Sequence, residues 1–406
     1  MNRISIISNV FFNWAINRLA MAGWRAMFGF LLLFGGIAQA AIDIPVPTRG
    51  VGIEPPTWVS MSGFTGEAAQ VLQFDLYVQG FGFTNADGAQ YLISGSNNGN
   101  LQGRVTDRYN KSTLVSKAYS GASLRRQAHA FADDFVQAID RKGIAQTKIA
   151  FRGDTGAGGE IFVADFDGFN ATAVTRDNAL VTAPAWVPHH LALYYTSYKL
   201  NHPDIFYHDL TTGSRKIFAR YGGSNMSPAP SPDGSRVAMI LSKDGWTDLY
   251  VGGADGGAPL RLTKSPQDES SPCWSSDGRW ILYAAKDREH RTLCKIPASG
   301  GSPQVIRTGG TPSPTEPDWS PDGKWIAFTS MTRSFQICVV PAEGGTAAVL
   351  VEGEDPSWAP NSRTLIFSRR QGGRSVLSLL DVPTKQVKDV PRISGSSSQS
   401  QPSWER

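Results

Sequence analysis

The chain contains few of the residues on which metal sites, disulfide scaffolds and many enzymes depend. It has three cysteines and six histidines among 406 residues. The cysteines, Cys273, Cys294 and Cys338, form no C-x-x-C pair of the kind that binds zinc. The G-x-S-x-G motif of α/β-hydrolases is also missing. These absences argue against a cysteine metal site and against a hydrolase of that class.

Charged residues are also scarce, at 18% of the chain. The formal net charge is +4, but residues 1–40 carry three arginines and no acidic residue, so the rest of the chain has a charge of +1. A nearly neutral protein offers no electrostatic attraction for a phosphate backbone. The sequence therefore predicts no nucleic-acid partner.

The first 40 residues have the pattern of an export signal. Arg18 and Arg25 precede an apolar run, Phe28–Ile37, and Ala38-Gln39-Ala40 forms a cleavage site. An uncut membrane anchor is the alternative, but the run is shorter than the roughly 20 residues that span a bilayer. We expect residues 1–40 to be a cleaved signal peptide, with Met21 as an alternative start, and the mature protein to be secreted.

A repeat of about 44 residues governs the second part of the chain. Its marker is a tryptophan followed by a turn such as Ser320-Pro321-Asp322-Gly323, in which proline, aspartate and glycine each favour a turn position. The markers, at positions 186, 230 (a proline), 274, 319, 358 and 404, are separated by 44, 44, 45, 39 and 46 residues. Four short strands fit each period, which is the pattern of a β-propeller blade.

The repeat counts predict a closed ring of six blades over residues 147–406. The first strand set, which begins at Lys148, has no Pro-x-Trp segment of its own, and Pro402-Ser403-Trp404 is left over at the C-terminus. We expect this last segment to pair with the first set and close the ring, leaving no free edge. Cys294 and Cys338 occupy equivalent repeat positions, at which other copies have aromatic residues, and are interpreted as buried hydrophobic residues.

Residues 41–146 have a different pattern, that of a small α/β domain. The periodicity predicts helices over 67–79 and 124–141, with Ser123 as an N-cap and Gly143 as the stop. Strands are predicted at 90–94, 101–105 and 113–117. The proline-rich stretch Ile44–Pro56 is interpreted as an extended arm.

The whole chain after the signal resembles the TolB family of the periplasmic Tol-Pal envelope system. The resemblance rests on the helix Leu124–Asp133, the junction Thr147–Phe151, the segment Ile161–Gly168, the run of Trp-Ser-Pro-Asp-Gly turns and the terminal Pro402-Ser403-Trp404. It implies a periplasmic adaptor, not an enzyme, that binds the peptidoglycan-associated lipoprotein Pal at one mouth of the propeller and the inner-membrane protein TolA through an N-terminal arm. Such a protein supports outer-membrane integrity and constriction during division, and meets membranes only through its partners.

This chain departs from the family pattern in two places. His189-His190 replaces the usual Asp-Gly, and the segment Ala41–Pro47 contains prolines that interrupt strand pairing. The second departure bears on the TolA contact.

Equivalent loops before each Pro-x-Trp segment are expected to lie on one mouth of the ring and to form a polar rim for a docked partner. The resemblance associates the Thr315-Glu316 position with Pal binding. The candidate partner-binding residues are Thr182, Ser227, Ser271, Thr315, Glu316 and Asp355.

Two other patterns are interpreted as structural, so no metal or cofactor is predicted. Adjacent residues of a strand point to opposite faces, so His189 and His190 do not readily share a metal. Asp165-Phe166-Asp167-Gly168 lacks the further acids of a calcium loop and is expected to be a hairpin turn. A propeller enzyme or small-ligand sensor that uses the channel mouth is the alternative function, and it would require convergent ionisable groups there.

Overall fold

The computed structural model describes residues 54–156, 158–287, 290–391 and 393–406. The predicted signal peptide, 1–40, lies outside these residues, as does all of the predicted arm, 44–56, except its last three residues. The described chain begins with a sheet-and-helix region and continues as a series of four-stranded antiparallel sheets.

The sheet-and-helix region contains one five-stranded sheet and two helices. Its strand order is β2-β1-β3-β4-β5, with β1 parallel to both of its neighbours. The elements are β1 Thr57–Ser62, α1 Gly66–Tyr77, β2 Phe81–Phe83, β3 Tyr91–Ser96, β4 Gln102–Asp107, β5 Thr113–Ala118 and α2 Leu124–Ala138. The sequence predicted β3, β4, β5 and both helices, but not β1 and β2.

Helix α2 buries the stripe that its periodicity predicts. Ala128, Ala132 and Phe135 are buried, and the N–H of Arg126 donates to Ser123 Oγ at 3.3 Å, as expected of an N-cap. The predicted end at Arg141 is wrong, since the helix stops at Ala138. Asp140 takes the left-handed backbone, with a φ of 58°, so the chain leaves the helix before it reaches Gly143.

Six four-stranded sheets follow and form the blades of the propeller. The strands of the first three blades are β6 Lys148–Asp154, β7 Gly159–Asp165 and β8 Thr172–Ala173; β9 Val181–Trp186, β10 Ala192–Ser197, β11 Asp204–Asp209 and β12 Arg215–Ala219; and β13 Asn225–Pro230, β14 Arg236–Leu241, β15 Asp248–Gly253 and β16 Gly256–Arg261.

The strands of the last three blades are β17 Asp268–Trp274, β18 Trp280–Asp287, β19 His290–Pro297 and β20 Gln304–Ile306; β22 Pro314–Trp319, β23 Trp325–Met331, β24 Phe335–Pro341 and β26 Ala348–Glu352; and β27 Glu354–Trp358, β28 Thr364–Gln371, β29 Arg374–Asp381 and β30 Gln386–Asp389. A short parallel pair, β21 Thr308–Gly309 and β25 Gly345–Thr346, accompanies the fifth blade.

The last strand closes the ring, as the repeat count predicts. Strand β31, Gln399–Trp404, pairs antiparallel with β6 and supplies the innermost strand of the first blade. Trp404 is 2% exposed, and its Nε1 donates to Thr147 Oγ1 at 2.8 Å. Both ends of the repeat region therefore share one sheet, and a terminal edge is not left open.

The repeated tryptophans join neighbouring blades. Trp186, Trp274 and Trp358 each donate an indole N–H to a main-chain carbonyl of the preceding blade's innermost strand, at 3.1, 2.8 and 3.2 Å. Burying a large ring while satisfying its one donor is a favourable use of tryptophan. Cys294 and Cys338 are buried in the same layers, at 7% and 0% exposure, which confirms their interpretation as hydrophobic core residues.

The sheet-and-helix region packs against the first and last blades. One continuous apolar core includes residues of both regions. Phe166, Ile366 and Trp404 of the propeller are buried in it, and Phe74 of α1 packs at its margin. Polar contacts accompany it: Thr364 Oγ1 and Gln386 Nε2 donate to carbonyls of Val78 and Phe81, both at 3.0 Å. The two regions thus share a core in addition to being connected by the chain.

Candidate functional site

The two ends of the propeller differ in what covers them. We call the end at which β9, β13, β17, β22, β27 and β31 begin the mouth, and the opposite end the base. The contacts of the sheet-and-helix region with Asp167, Thr364 and Gln386 all lie at the base, because Asp167 is in the turn after β7 and the other two residues begin β28 and β30 at that end of their blade. The mouth lies on the other side of the ring from that region.

Each innermost strand contains a β-bulge immediately before a proline. Register shifts occur in all six pairings of innermost and second strands. The bulged residue takes the left-handed backbone, with φ between 50° and 56°. These six residues, which we call the pre-proline ring, are Ala183, Ser227, Ser271, Glu316, Asp355 and Gln401.

The left-handed ring positions are conformationally costly. A left-handed non-glycine residue costs roughly 1–2 kcal/mol, and a following proline restricts the backbone further. The proline also has no N–H, so it suits a place where the strand ladder is interrupted. The same costly geometry recurs in all six blades, and the ring residues line a central cavity of about 490 Å³.

Side chains of the ring satisfy the amide groups that the bulges leave without strand partners. Glu316 Oε2 accepts the Asp355 N–H at 3.2 Å, and Asp355 Oδ2 accepts the Gln401 N–H at 3.1 Å. Gln401 Oε1 in turn accepts the Ala183 N–H at 3.1 Å. Four consecutive blades are thus joined head to tail by side-chain-to-backbone hydrogen bonds. We call this arrangement the ring relay.

The relay includes an acidic sector of the channel wall. Burial, together with the carboxylates of Glu316 and Glu354, raises the pKa of Asp355 well above its ordinary value. Burial and Glu316 likewise raise the pKa of Glu354. Close carboxylates disfavour holding several negative charges at once. This sector therefore favours proton uptake or a cationic group brought by a partner.

Exposed apolar side chains stand at the rim of the mouth. The hairpins joining the second and third strands of a blade end there, because Leu241 pairs with both Asn225 at the start of β13 and Asp248 of β15. Trp246 and Met331 on such hairpins are 52% and 51% exposed. Leu200 and Phe335 are exposed on equivalent hairpins. Aromatic residues and methionine are enriched in protein-binding surfaces.

A basic group lies at the other end of the channel. Arg406 pairs with Asp318 and donates to the carbonyl oxygens of Trp358 and Trp319 at 3.1 and 3.2 Å, which spans the fifth and sixth blades. Lys142, from the segment after α2, also lines the channel. The channel therefore runs from an acidic sector near the mouth to basic side chains at the base.

The structure brings together four of the six residues predicted from the sequence. Ser227, Ser271, Glu316 and Asp355 belong to the pre-proline ring, although they lie in strands rather than in loops. Thr182 and Thr315 precede the ring position by one residue. The Thr182 hydroxyl donates to Gln401 Oε1, and Thr315 Oγ1 accepts from Arg291 Nη1 at 3.2 Å.

Ala183 and Gln401 are the two ring members that the sequence argument missed. Gln401-Pro402-Ser403-Trp404 repeats the X-Pro-x-Trp pattern, so aligning the terminal segment with the other markers would have found Gln401. Ala183 directly precedes Pro184, so choosing the residue before each proline would have predicted Ala183 rather than Thr182.

The residues considered as metal ligands do not form a metal site. Asp165 pairs with Lys148 at 2.9 Å, and Asp167 pairs with Arg125, so the predicted hairpin turn holds its acids in ion pairs. His189 and His190 are both exposed on a turn. Within the described residues no group of three or more His, Cys, Asp or Glu side chains is arranged to hold a metal ion.

These features define a closed six-bladed β-propeller with a polar, proline-lined channel, preceded by a small α/β region. The chain belongs to the TolB family: the family model described as the TolB beta propeller domain matches residues 136–406. The helices that the structure describes are all too short or too polar to cross a bilayer.

Curated relatives agree with this assignment. The chain is 32% identical over 306 residues to the Tol-Pal system protein TolB of Bordetella pertussis, an alignment that covers 72% of this chain and 70% of that protein. It is equally similar to the protein of the same name from Bordetella bronchiseptica, which it covers to 69%. The crystal structure of TolB from Acinetobacter baumannii superposes with a TM-score of 0.78 at 20% identity, over 87% of this chain and 97% of that one, which shows the shared fold.

Proposed function

We propose that this chain is a periplasmic adaptor of the Tol-Pal system that works by binding proteins. A Pal-like peptidoglycan-associated lipoprotein docks at the mouth, and a TolA-like inner-membrane protein binds the N-terminal arm within residues 41–56. The adaptor thereby links the outer envelope to inner-membrane components and supports outer-membrane integrity and constriction during division. The family and its curated relatives support the system, and the geometry of the mouth supports the docking face.

The observation that carries the docking face is a combination of features found at the mouth. There the pre-proline ring presents six equivalent positions held at fixed backbone geometry. Around it, hairpin tips expose Trp246, Met331 and Phe335. A partner gains binding energy from apolar anchors and specificity from fixed polar groups. The base is already engaged with the sheet-and-helix region.

The first test is an affinity pulldown from envelope extracts with residues 41–406, comparing wild type with Glu316→Arg. Charge reversal at the acidic sector is expected to abolish capture of the lipoprotein. Glu343→Arg is the matched control, because Glu343 is 86% exposed on a turn at the base and contacts Lys295. Equal capture by all three proteins would place the contact elsewhere, and capture by none would refute the Pal-like partner.

The arm is tested separately by deleting residues 41–53. This deletion keeps Glu54, whose N–H donates to the carbonyl of Pro383 at 3.2 Å. We expect the truncated protein to keep the lipoprotein and to lose the inner-membrane partner. Retention of both partners would remove the proposed role of the arm.

A channel ligand is the second candidate function, favoured by the 490 Å³ cavity and the carboxylates of Glu316 and Asp355 that line it. Such a cavity is of the size that holds a small molecule. A thermal-shift screen of cationic and carbohydrate ligands, repeated with Asp355→Asn, tests it. A ligand that stabilises wild type but not this variant would favour the sensor or enzyme interpretation over the adaptor.

A further inference from the structure

A buried charged cluster joins the sheet-and-helix region to the propeller. Asp75 of α1 and His129 of α2 face Asp167, which lies in the turn between β7 and β8 of the first blade. All three are nearly inaccessible, at 0%, 4% and 3% exposure. Arg125 of α2 completes the group through its ion pair with Asp167. We call these four residues the interface cluster.

The contacts of the cluster cross the boundary between the two regions. His129 Nδ1 lies 2.7 Å from Asp75 Oδ2, and His129 Nε2 lies 3.5 Å from Asp167 Oδ2. Phe166, next to Asp167 and fully buried, packs its ring edge to face against His129 with centroids 5.7 Å apart. The imidazole therefore lies between a helix of one region and a turn of the other.

The cluster is balanced in charge only while the Asp75–His129 pair holds a proton. With that proton, the two cations His129 and Arg125 face the two anions Asp75 and Asp167. Without it, one buried negative charge is uncompensated, which is costly in a low-dielectric interior. Asp75 Oδ1 has no hydrogen-bond partner among the described residues, so the buried Asp75 carboxylate depends on His129 for compensation.

The surrounding groups act in the same direction. Burial raises the pKa of Asp75 to about 7, and Asp167 and Asp133 add to it. Burial and the nearby Arg125 lower the pKa of His129, whereas the carboxylates of Asp75 and Asp167 raise it. The carboxylates have the larger effect, so the pKa of His129 is raised overall. Arg125 is shared with Glu67, an exposed carboxylate 3.1 Å away, while Asp165 pairs with Lys148. The proton belongs to the pair rather than to either residue.

We propose that the Asp75–His129 pair is a proton-operated latch that holds α1 and α2 against the β7–β8 turn of the propeller and releases them when the pair loses its proton. Both groups bind protons more tightly in the folded protein than in the unfolded chain. Their contribution to stability is therefore fully present below the ordinary pKa values that apply in the unfolded chain, and it is lost as the pH rises through about 7, the pKa of Asp75. The latch does not depend on which partners the protein binds.

The test is hydrogen exchange of peptides from 66–77 and 124–138 at several pH values, corrected for the intrinsic pH dependence of exchange. Because the opened helices release this proton more readily than the closed ones, opening rises by up to about tenfold per pH unit between the ordinary histidine pKa and the raised pKa of the pair, and it levels off above that. Peptides of the third and fourth blades, which lie away from the cluster, provide the internal reference. In Asp75→Asn and His129→Gln we expect this extra pH dependence to disappear.

The matched control is His190→Gln, which removes an exposed histidine and should keep the wild-type pH dependence. If a cluster variant does not fold, titration of His129 in the wild-type protein by histidine NMR provides the measurement. The proposal requires the pair to keep its proton to a higher pH than a free histidine does, so the His129 ring should show its titration step above the ordinary histidine pKa. A His129 titration step at or below the ordinary histidine pKa, or equal pH slopes in wild type and His129→Gln, would overturn it.

Discussion

Replacing Gln401 by alanine tests whether the ring relay stabilises the mouth. The variant loses the oxygen that accepts the Ala183 N–H at 3.1 Å and the Thr182 hydroxyl. Thr182 is partly exposed, so its hydroxyl can turn to water and the main cost is the orphaned amide in the bulge. An unsatisfied amide of this kind costs about 1–2 kcal/mol. That free energy corresponds to a roughly 5- to 30-fold shift in the local opening equilibrium.

The assay is hydrogen exchange of a peptide that covers β9, residues 181–186. We expect exchange there to rise by that factor in Gln401→Ala, while peptides of the fourth blade stay unchanged. Ser227→Ala is the matched control. It occupies the equivalent ring position, but the amide at that position donates to Thr196 Oγ1 at 3.2 Å rather than to a ring side chain.

Gln401→Glu keeps an acceptor oxygen at the same place and is expected to restore much of the protection. If Gln401→Ala and Ser227→Ala exchange equally at β9, the Gln401 side chain does not stabilise the bulge, and the ring relay does not protect the mouth. If Gln401→Glu fails where glutamine succeeds, the added charge beside Asp355 outweighs the recovered hydrogen bond.

Two further predictions concern closure and charge. Deleting residues 399–406 removes the innermost strand of the first blade and exposes the edge of β6, so we expect a strongly lowered thermal unfolding midpoint and aggregation. In contrast, Arg406→Ala should lower the unfolding midpoint only slightly. A similar decrease of the midpoint in both variants would contradict closure of the ring by β31. Asp355→Asn keeps an acceptor for the Gln401 N–H but removes a carboxyl whose pKa is raised. As the pH rises, wild type should therefore lose more stability than this variant does. Thermal unfolding midpoints measured across the pH range check this, and midpoints that change in parallel in the two proteins would refute it.

The propeller was predictable because its signals are local and repeated. Each turn carries its own conformational preference, as when Gly323 takes a φ of 75° after Asp322. The count of six followed from spacing, and the leftover Trp404 indicated closure. The second blade shows the limit: with His189-His190 in place of Asp-Gly, the left-handed residue is His189, with a φ of 64°, one position earlier than the glycine of the other turns.

Strands β1 and β2 were missed because their pairing is not local. Strand β1 lies between β2 and β3 and is parallel to both, with a helix intervening in the sequence before either partner. Strand β2 has only three residues, Phe81–Phe83, too few to show alternation. Such strands are selected by the sheet that they complete, which single-sequence patterns do not contain.

The positions of the ring residues were predictable from the sequence, but their backbone geometry was not. The pattern X-Pro-x-Trp located the ring, but a residue before proline is expected to be extended, not left-handed. The bulges lie where neighbouring blades converge at the channel, and at three of them a ring side chain of the next blade satisfies the displaced amide, as Asp355 does for Gln401. No single repeat contains that information.

One strand connects the two features to which we assign function. Strand β31 places Gln401 in the pre-proline ring and, three residues later, Trp404 in the core shared with the sheet-and-helix region. Trp404 stacks on Phe166 with ring centroids 6.3 Å apart, and Phe166 contacts His129 of the interface cluster. A packed path is one route by which two sites are coupled, and the coupling is measured as a free energy. If the latch and the mouth are coupled, His129→Gln changes hydrogen exchange at β9 as well as at α2; if they are independent, only α2 responds.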